Sequence, residues 1–112
     1  MFLTEETLNE LPFAITICDN DAKIIYMNDL SVKTFQKNED SLIGKSLFDC
    51  HSNISADKIR FLLENAQSNT YTIEKNGTKK LIHQCPWYKD GKIAGLIEVS
   101  IIIPTEMPHF VR

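Results

Sequence analysis

The last third of the chain, "TYTIEKNGTKKLIHQCPWYKDGKIAGLIEVSIII" from Thr70 to Ile103, is strand-like throughout and is broken at Asn76-Gly77 and Asp90-Gly91. Both dipeptides tolerate positive φ at successive positions, which is what two-residue hairpin loops demand. Three strands joined by two tight turns predict an antiparallel meander. A meander with apolar residues along it must bury one face against another layer.

The rest of the chain supplies that layer. Thr7 and Glu10 have capping-box spacing, Leu8 and Leu11 share a helical face, and Pro12 ends the run, so Thr4 to Leu11 predicts a short helix at the domain edge. Two β-branched runs follow, Phe13 to Cys18 and Lys23 to Met27. The Asp19-Asn20-Asp21 stretch between them bonds its own backbone readily, and a hairpin is expected. Asn28 or Asp29 can then cap a short helix with Leu30 and Phe35 turned inward, and Asn38 to Ser41 reads as another turn. A longer helix follows from Ser55 to Gln67, where Ile59, Leu62, Leu63 and Ala66 fall on one face and Asp57 lies near the positive end of the dipole. The tail after Pro104, "TEMPHFVR", has two prolines with Pro104 counted and no periodicity, and is expected to be irregular.

The order strand, strand, short helices, longer helix, three strands predicts an α+β domain: one antiparallel sheet with its helices gathered on one face. At 112 residues the chain has room for one core, so residues 1–112 are read as a single unit, with 1–11 a terminal cap, 12–103 the core and 104–112 the tail. A charge of -3 gives no support for a nucleic-acid partner. The acidic start "MFLTEETLNEL" lacks the basic and apolar regions of a signal peptide. The most apolar stretch, "GLIEVSIII", is far shorter than the ~20 residues of a membrane helix. Three scattered cysteines suit reduced thiols better than a disulfide framework. A cytoplasmic protein without membrane contact is expected.

Several stretches of the chain, in order, resemble the PAS domain. "ICDNDAKIIYMN" is similar to that family's first hairpin and the Asn after it, here Asn28. "SLIGKSLFD" resembles the segment around its Gly, here Gly44. "CPWYKDGKIAGLIEVS" is similar to its closing hairpin, with the Asp-Gly turn and a following Gly, here Gly95. The resemblance runs from Leu11 to Ile103. It implies a five-stranded antiparallel sheet that encloses a small cavity with its helices, used to sense a ligand, redox state or light and to signal through dimerisation or a partner domain. "GKSLFDCHSNIS" is further similar to a PAS subtype with a Cys-His pair after the Gly-Lys segment, often joined to hemerythrin-like domains.

Geometry limits the chemistry open to that pair. Neighbours in sequence do not face each other on a helix and point to opposite faces of a strand, so Cys50 and His51 are badly placed as thiol and base. His83 could serve as a partner base, yet no third orienting group is visible, and no catalytic residue is assigned. Cys50, His51, His83 and Cys85 offer zinc-compatible donors, but their spacing lacks the separation of known zinc motifs, and no metal is assigned. The resemblance allows haem through His51, although the haem histidine of such sensors sits within the long helix and Ser55 to Gln67 contains none. It disfavours a flavin adduct, because the reactive cysteine would stand three residues after the Gly, where this chain has Leu47. Coumaroyl photochemistry is disfavoured as well, since its acid would fall near Ser31.

Along the penultimate strand Leu81, His83, Cys85 and Trp87 alternate with Ile82, Gln84, Pro86 and Tyr88, and both sets contain apolar residues. Matching the family's closing hairpin turns Ile82 and Gln84 toward the cavity, with Glu98 on the last strand. Phe48, Cys50, His51, Ile59, Leu62, Ile82, Gln84 and Glu98 are therefore the expected ligand-binding residues. Leu81, Cys85 and Trp87 then lie on the outer face, which the terminal helix or a second chain would cover, and with Phe2, Leu8 and Leu11 they form the expected homodimer interface. Phe35, Phe48, Ile59, Leu62 and Leu63 are also candidates for plain core. The expected function is a non-enzymatic sensory module that binds a small molecule and signals through a homodimer or a partner protein. The alternative is an interaction module with a filled core. The lesser alternative is a haem sensor.

Overall fold

The computed structural model describes residues 4–36, 40–50 and 52–112, with Cys50 given by its backbone alone. Its elements in chain order are α1 (Glu5–Asn9), β1 (Ala14–Asp19), β2 (Ile24–Met27), α2 (Asp29–Phe35), α3 (Leu47–Cys50), α4 (Asn53–Asn65), β3 (Asn69–Lys75), β4 (Thr78–Lys89) and β5 (Lys92–Ile102). The five strands form one sheet in the order β2-β1-β5-β4-β3. Every neighbouring pair is antiparallel. This is the expected α+β architecture.

Both closing turns take positive φ twice, at Asn76 (54°) and Gly77 (78°) and at Asp90 (52°) and Gly91 (78°). That backbone twist matches the strands it joins, and it pins β3, β4 and β5 in register. In the first hairpin Asp19 Oδ1 accepts from the backbone N–H of Asp21 and of Lys23, at 2.9 and 3.0 Å, the local bonding expected of the turn.

Asn28 joins three elements. Its Oδ1 accepts from Ser31 N–H at the start of α2 (3.1 Å) and from Ile15 N–H on β1 (2.9 Å). Its Nδ2 donates to the carbonyls of Leu8 in α1 (3.1 Å) and Phe13 (2.9 Å). All four hydrogen-bonding positions of the amide are used, and the residue is fully buried.

Three boundaries move from their sequence positions. The longer helix starts at Asn53, because the Ser52 hydroxyl accepts from Ser55 N–H (3.3 Å) and so caps it three residues before the expected start. Asp57 consequently lies beyond the first turn and pairs with Arg60 at 3.0 Å. The helix ends when Ala66 turns left-handed (φ 49°) and Gln67 N–H bonds back to the Leu62 carbonyl. The terminal helix is shorter than Thr4 to Leu11, and Thr4 rather than Thr7 stands at its start.

The core groups Cys18 and Ala22 of the first hairpin, Ile59 and Leu62 of α4 and Leu96 of β5, with Leu47, Phe48 and Leu63 packed against them. Phe35, expected inward, is 42% exposed. It stands at the last position of α2, where one flank faces solvent.

Candidate functional site

Alternation decides what each strand offers the helices. On β1, Thr16 and Cys18 face the helix layer. On β5, Leu96 and Glu98 do so, and on β4 Gln84 does. These residues, with Ile24 and Met27 of β2, form the floor of a cavity of about 330 Å³. Phe35, Leu42, Leu47 and Ile59 form its wall and mouth. The volume lies at the low end of the ~300–1,000 Å³ of small-molecule sites.

The lining is apolar apart from one strip and one hydroxyl. Gln84 and Glu98 are directly opposed across β4 and β5. The Gln84 amide donates from Nε2 to Glu98 Oε2 at 2.9 Å, and its Oε1 accepts from Asn69 Nδ2 at 3.1 Å. Glu98 is an acceptor, so it must meet the nitrogen of the amide, and Asn69 holds the amide oxygen on the other side. A second polar spot, the Thr16 hydroxyl, is in hydrogen-bonding contact with the buried Ser31 hydroxyl. Burial raises the Cys18 thiol above its ordinary value of 9.0, an effect to which the charges of Asp19 and Glu98 add and which a hydrogen bond from the Leu96 backbone opposes. Partial burial, followed by the charge of Glu98, also raises the Tyr71 phenol.

Of the residues proposed from sequence, Ile59, Gln84 and Glu98 line the cavity. Leu62 is buried in the adjoining core, and Phe48 packs against that core under the Arg60 guanidinium, 4.3 Å from its ring centre. Ile82 is buried on the same strand face as Gln84, opposite Ser100 and away from the lining. The backbone of Cys50 ends α3, while its side chain and His51 lie outside the described residues. Sequence reasoning missed Thr16, Cys18, Ile24, Met27, Leu42, Leu47 and Leu96. The alternation in "AITIC" carried the signal for Thr16 and Cys18, and it could be used only once the pairing of β1 with β5 was known.

Leu81, Cys85 and Trp87 sit on the opposite face of β4, where their partners across the sheet are Ile101, Ile97 and Gly95. His83 shares that face, with its Nδ1 2.7 Å from the Thr70 hydroxyl. The sheet therefore separates His83 and Cys85 from α3. Trp87 has work within the chain: its indole N–H crosses Gly95 and donates to the Cys18 carbonyl at 2.9 Å, tying β4 to β1 over β5. Of the terminal residues expected over this face, Phe2 lies outside the described residues, while Leu8 and Leu11 are half-buried. The helix α1 is held by the Tyr26 hydroxyl, which donates to Asn9 Oδ1 at 2.7 Å. Among the described residues no helix is long and apolar enough to cross a membrane.

Similar architecture is widespread among sensory proteins. A sensory box sensor histidine kinase from Vibrio cholerae superimposes with a TM-score of 0.65 at 18% identity, over 91% of this chain and 90% of that one. A C-terminal domain from Streptococcus mutans gives 0.70 at 24% identity, over 89% and 85%. The Vibrio cholerae receptor VqmA gives 0.69 at 19% identity over 92% of this chain, which spans only 52% of the receptor. No curated protein matches. The sequence profile of the PAS fold matches residues 8–103, the stretch that holds all five strands, helices α2 to α4 and the cavity, and the chain belongs to the PAS fold family.

Proposed function

We infer that this chain is a non-catalytic sensory module that binds a small molecule between its sheet and its helices. The observation that carries the reading is the cavity itself: apolar walls around one ordered polar pair, Gln84 and Glu98, with Asn69 holding the Gln84 amide from outside the lining. Such a strip orients a ligand while the walls supply its burial. The solved complex of VqmA bound to DPO, which superimposes with a TM-score of 0.70 at 18% identity, supports the comparison with a ligand-responsive receptor. Occupancy acts by population shift: a ligand that fits one packing of α2 and α4 against the sheet better than another favours that packing. The outer sheet face carries the output as a homodimer contact or a partner contact.

Native mass spectrometry with metal analysis tests this reading. A small organic mass bound to the wild type and lost when Thr16→Phe fills the cavity supports it. Bare polypeptide from every preparation, with no compound of a fragment library binding, supports a filled-core interaction module. That second reading has its own observation in the part-exposed apolar outer face, where Leu81, Ile97 and Ile101 lie together. An absorbance spectrum separates the haem reading through His51, which requires a Soret band.

A further inference from the structure

The geometry points to a ligand class: a compact, largely apolar molecule whose one polar end is a hydrogen-bond donor, with a cationic nitrogen preferred and an anion rejected. This rests on the ligand-binding reading above and deepens it. The walls contain no lysine, arginine or histidine among the described residues that line them. The ion pair formed among the described residues, Arg60 with Asp57, is on the exposed surface of α4 and leaves Glu98 without a counter-charge. Glu98 accepts one N–H through Oε2. Among the described residues no donor is bonded to its Oε1, and the side chain lines the cavity.

A part-buried carboxylate beside apolar walls gains from a further charge-assisted donor. Gln84 cannot turn its amide to greet an acceptor without presenting its own oxygen to Glu98 and releasing Asn69. The Thr16 hydroxyl shares one hydrogen bond with Ser31, in which either oxygen can donate. Acceptors on a ligand would therefore meet only uncharged donors, the Thr16 hydroxyl, the Cys18 thiol and the remaining Gln84 N–H, whereas a donor meets a waiting carboxylate oxygen. A ligand carboxylate or phosphate would set like charges side by side in a space of low polarity. The volume of about 330 Å³ admits roughly ten water-sized groups at ~30 Å³ each, enough for one ring and a short polar arm.

Binding of skeleton-matched fragments to the ¹⁵N-labelled full chain tests the assignment, with the amide shifts of Thr16 and Leu96 reporting occupancy of the cavity. Benzyl and cyclohexylmethyl skeletons are each offered as amine, alcohol and carboxylate, to the wild type and to Glu98→Gln. The glutamine keeps the shape and an acceptor for Gln84 but removes the charge, and thermal melting verifies that it folds. The expected order is amine, then alcohol, then carboxylate, with the amine tighter than the carboxylate by about tenfold or more and the gap reduced to about threefold or less in Glu98→Gln. If carboxylates bind as tightly as amines, or if the preference survives Glu98→Gln, the class assignment falls while ligand binding stands. If no fragment shifts Thr16 or Leu96 at millimolar concentration, the ligand-binding reading falls and takes the assignment with it.

Discussion

The two faces of the sheet are built from alternate residues of the same strands, yet they are finished differently. On the inner face Ile82 is 4% exposed, Leu96 is 5% exposed, and the polar strip of Gln84 and Glu98 is bonded side to side. On the outer face their sequence neighbours Leu81, Cys85 and Ile97 stay part-exposed, and Ile101 is 42% exposed. Helix α4 packs on the inner face, while among the described residues α1 is held near one edge of the sheet through Tyr26 and Asn28. One strand therefore carries two independent surfaces, and adjacent substitutions should have unrelated consequences.

The largest contrast comes from placing the same charge on neighbouring residues. Ile82→Asp buries a carboxylate without a partner and should unfold the protein, with a loss of several kcal/mol. Leu81→Asp leaves the charge in reach of water and should cost less than about 1 kcal/mol of monomer stability. If the outer face is a homodimer contact, Leu81→Asp should also shift sedimentation from dimer to monomer. Equal denaturation midpoints for the two variants would refute the distinction between the faces. Trp87→Asp is a poor probe of dimerisation because it removes the bond to the Cys18 carbonyl as well.

Gly95 shows where the outer face is closed by the chain itself. A Cβ there would come within 1.8 Å of the Cys18 carbonyl oxygen and 2.7 Å of the Trp87 indole nitrogen. Neither neighbour can yield without breaking the bond that spans three strands. Gly95→Ala should cost about 3 kcal/mol or more, read as a lowered denaturant midpoint together with altered Trp87 fluorescence. A variant as stable as the wild type would show that the clamp contributes nothing.

Asn28→Ala should follow at about 2–3 kcal/mol, since it takes the acceptor from the buried N–H groups of Ile15 and Ser31 and a donor from the part-buried carbonyls of Leu8 and Phe13. Asn28→Asp keeps the acceptor and loses the donor, so it should spare the α2 cap and free α1. Hydrogen exchange that speeds up in α1 for both variants but in α2 only for alanine would confirm that division.

The legibility of the sequence follows the range of the interactions. Turns and caps are local, so Asn76-Gly77, Asp90-Gly91 and the Asn28 cap were readable from a few adjacent residues. The facing of β4 was not fixed by its own pattern, because both Leu81–Trp87 and Ile82–Tyr88 contain apolar groups; the family resemblance supplied the orientation of Gln84 and Glu98. The cavity floor from β1 was missed because Thr16 and Cys18 become neighbours of Glu98 and Leu96 only through pairing across some eighty residues. Ser52 and Ser55 both have the chemistry of a cap, and only the observed bond between them shows that Ser52 is the one that caps.

The smallest effect also separates the faces, through the thiol of the inner one. Cys18 is 2% exposed, and its thiol is raised above 9.0 chiefly by burial. A raised value means that the folded chain keeps its proton where the unfolded chain has released it. The stability tied to this thiol is therefore complete below the ordinary value of 9.0 and declines as the pH rises through the higher folded value. Tyr71 acts in the same direction from its ordinary value of 10.0 upward. Cys18→Ser carries no titrating thiol, so it should begin less stable at neutral pH yet lose less between pH ~8 and ~10 than the wild type does. Urea midpoints measured for both proteins across that range decide the point. Parallel declines would mean that Cys18 ionises as freely in the fold as outside it, and the inner face would then be no drier at this position than the outer one.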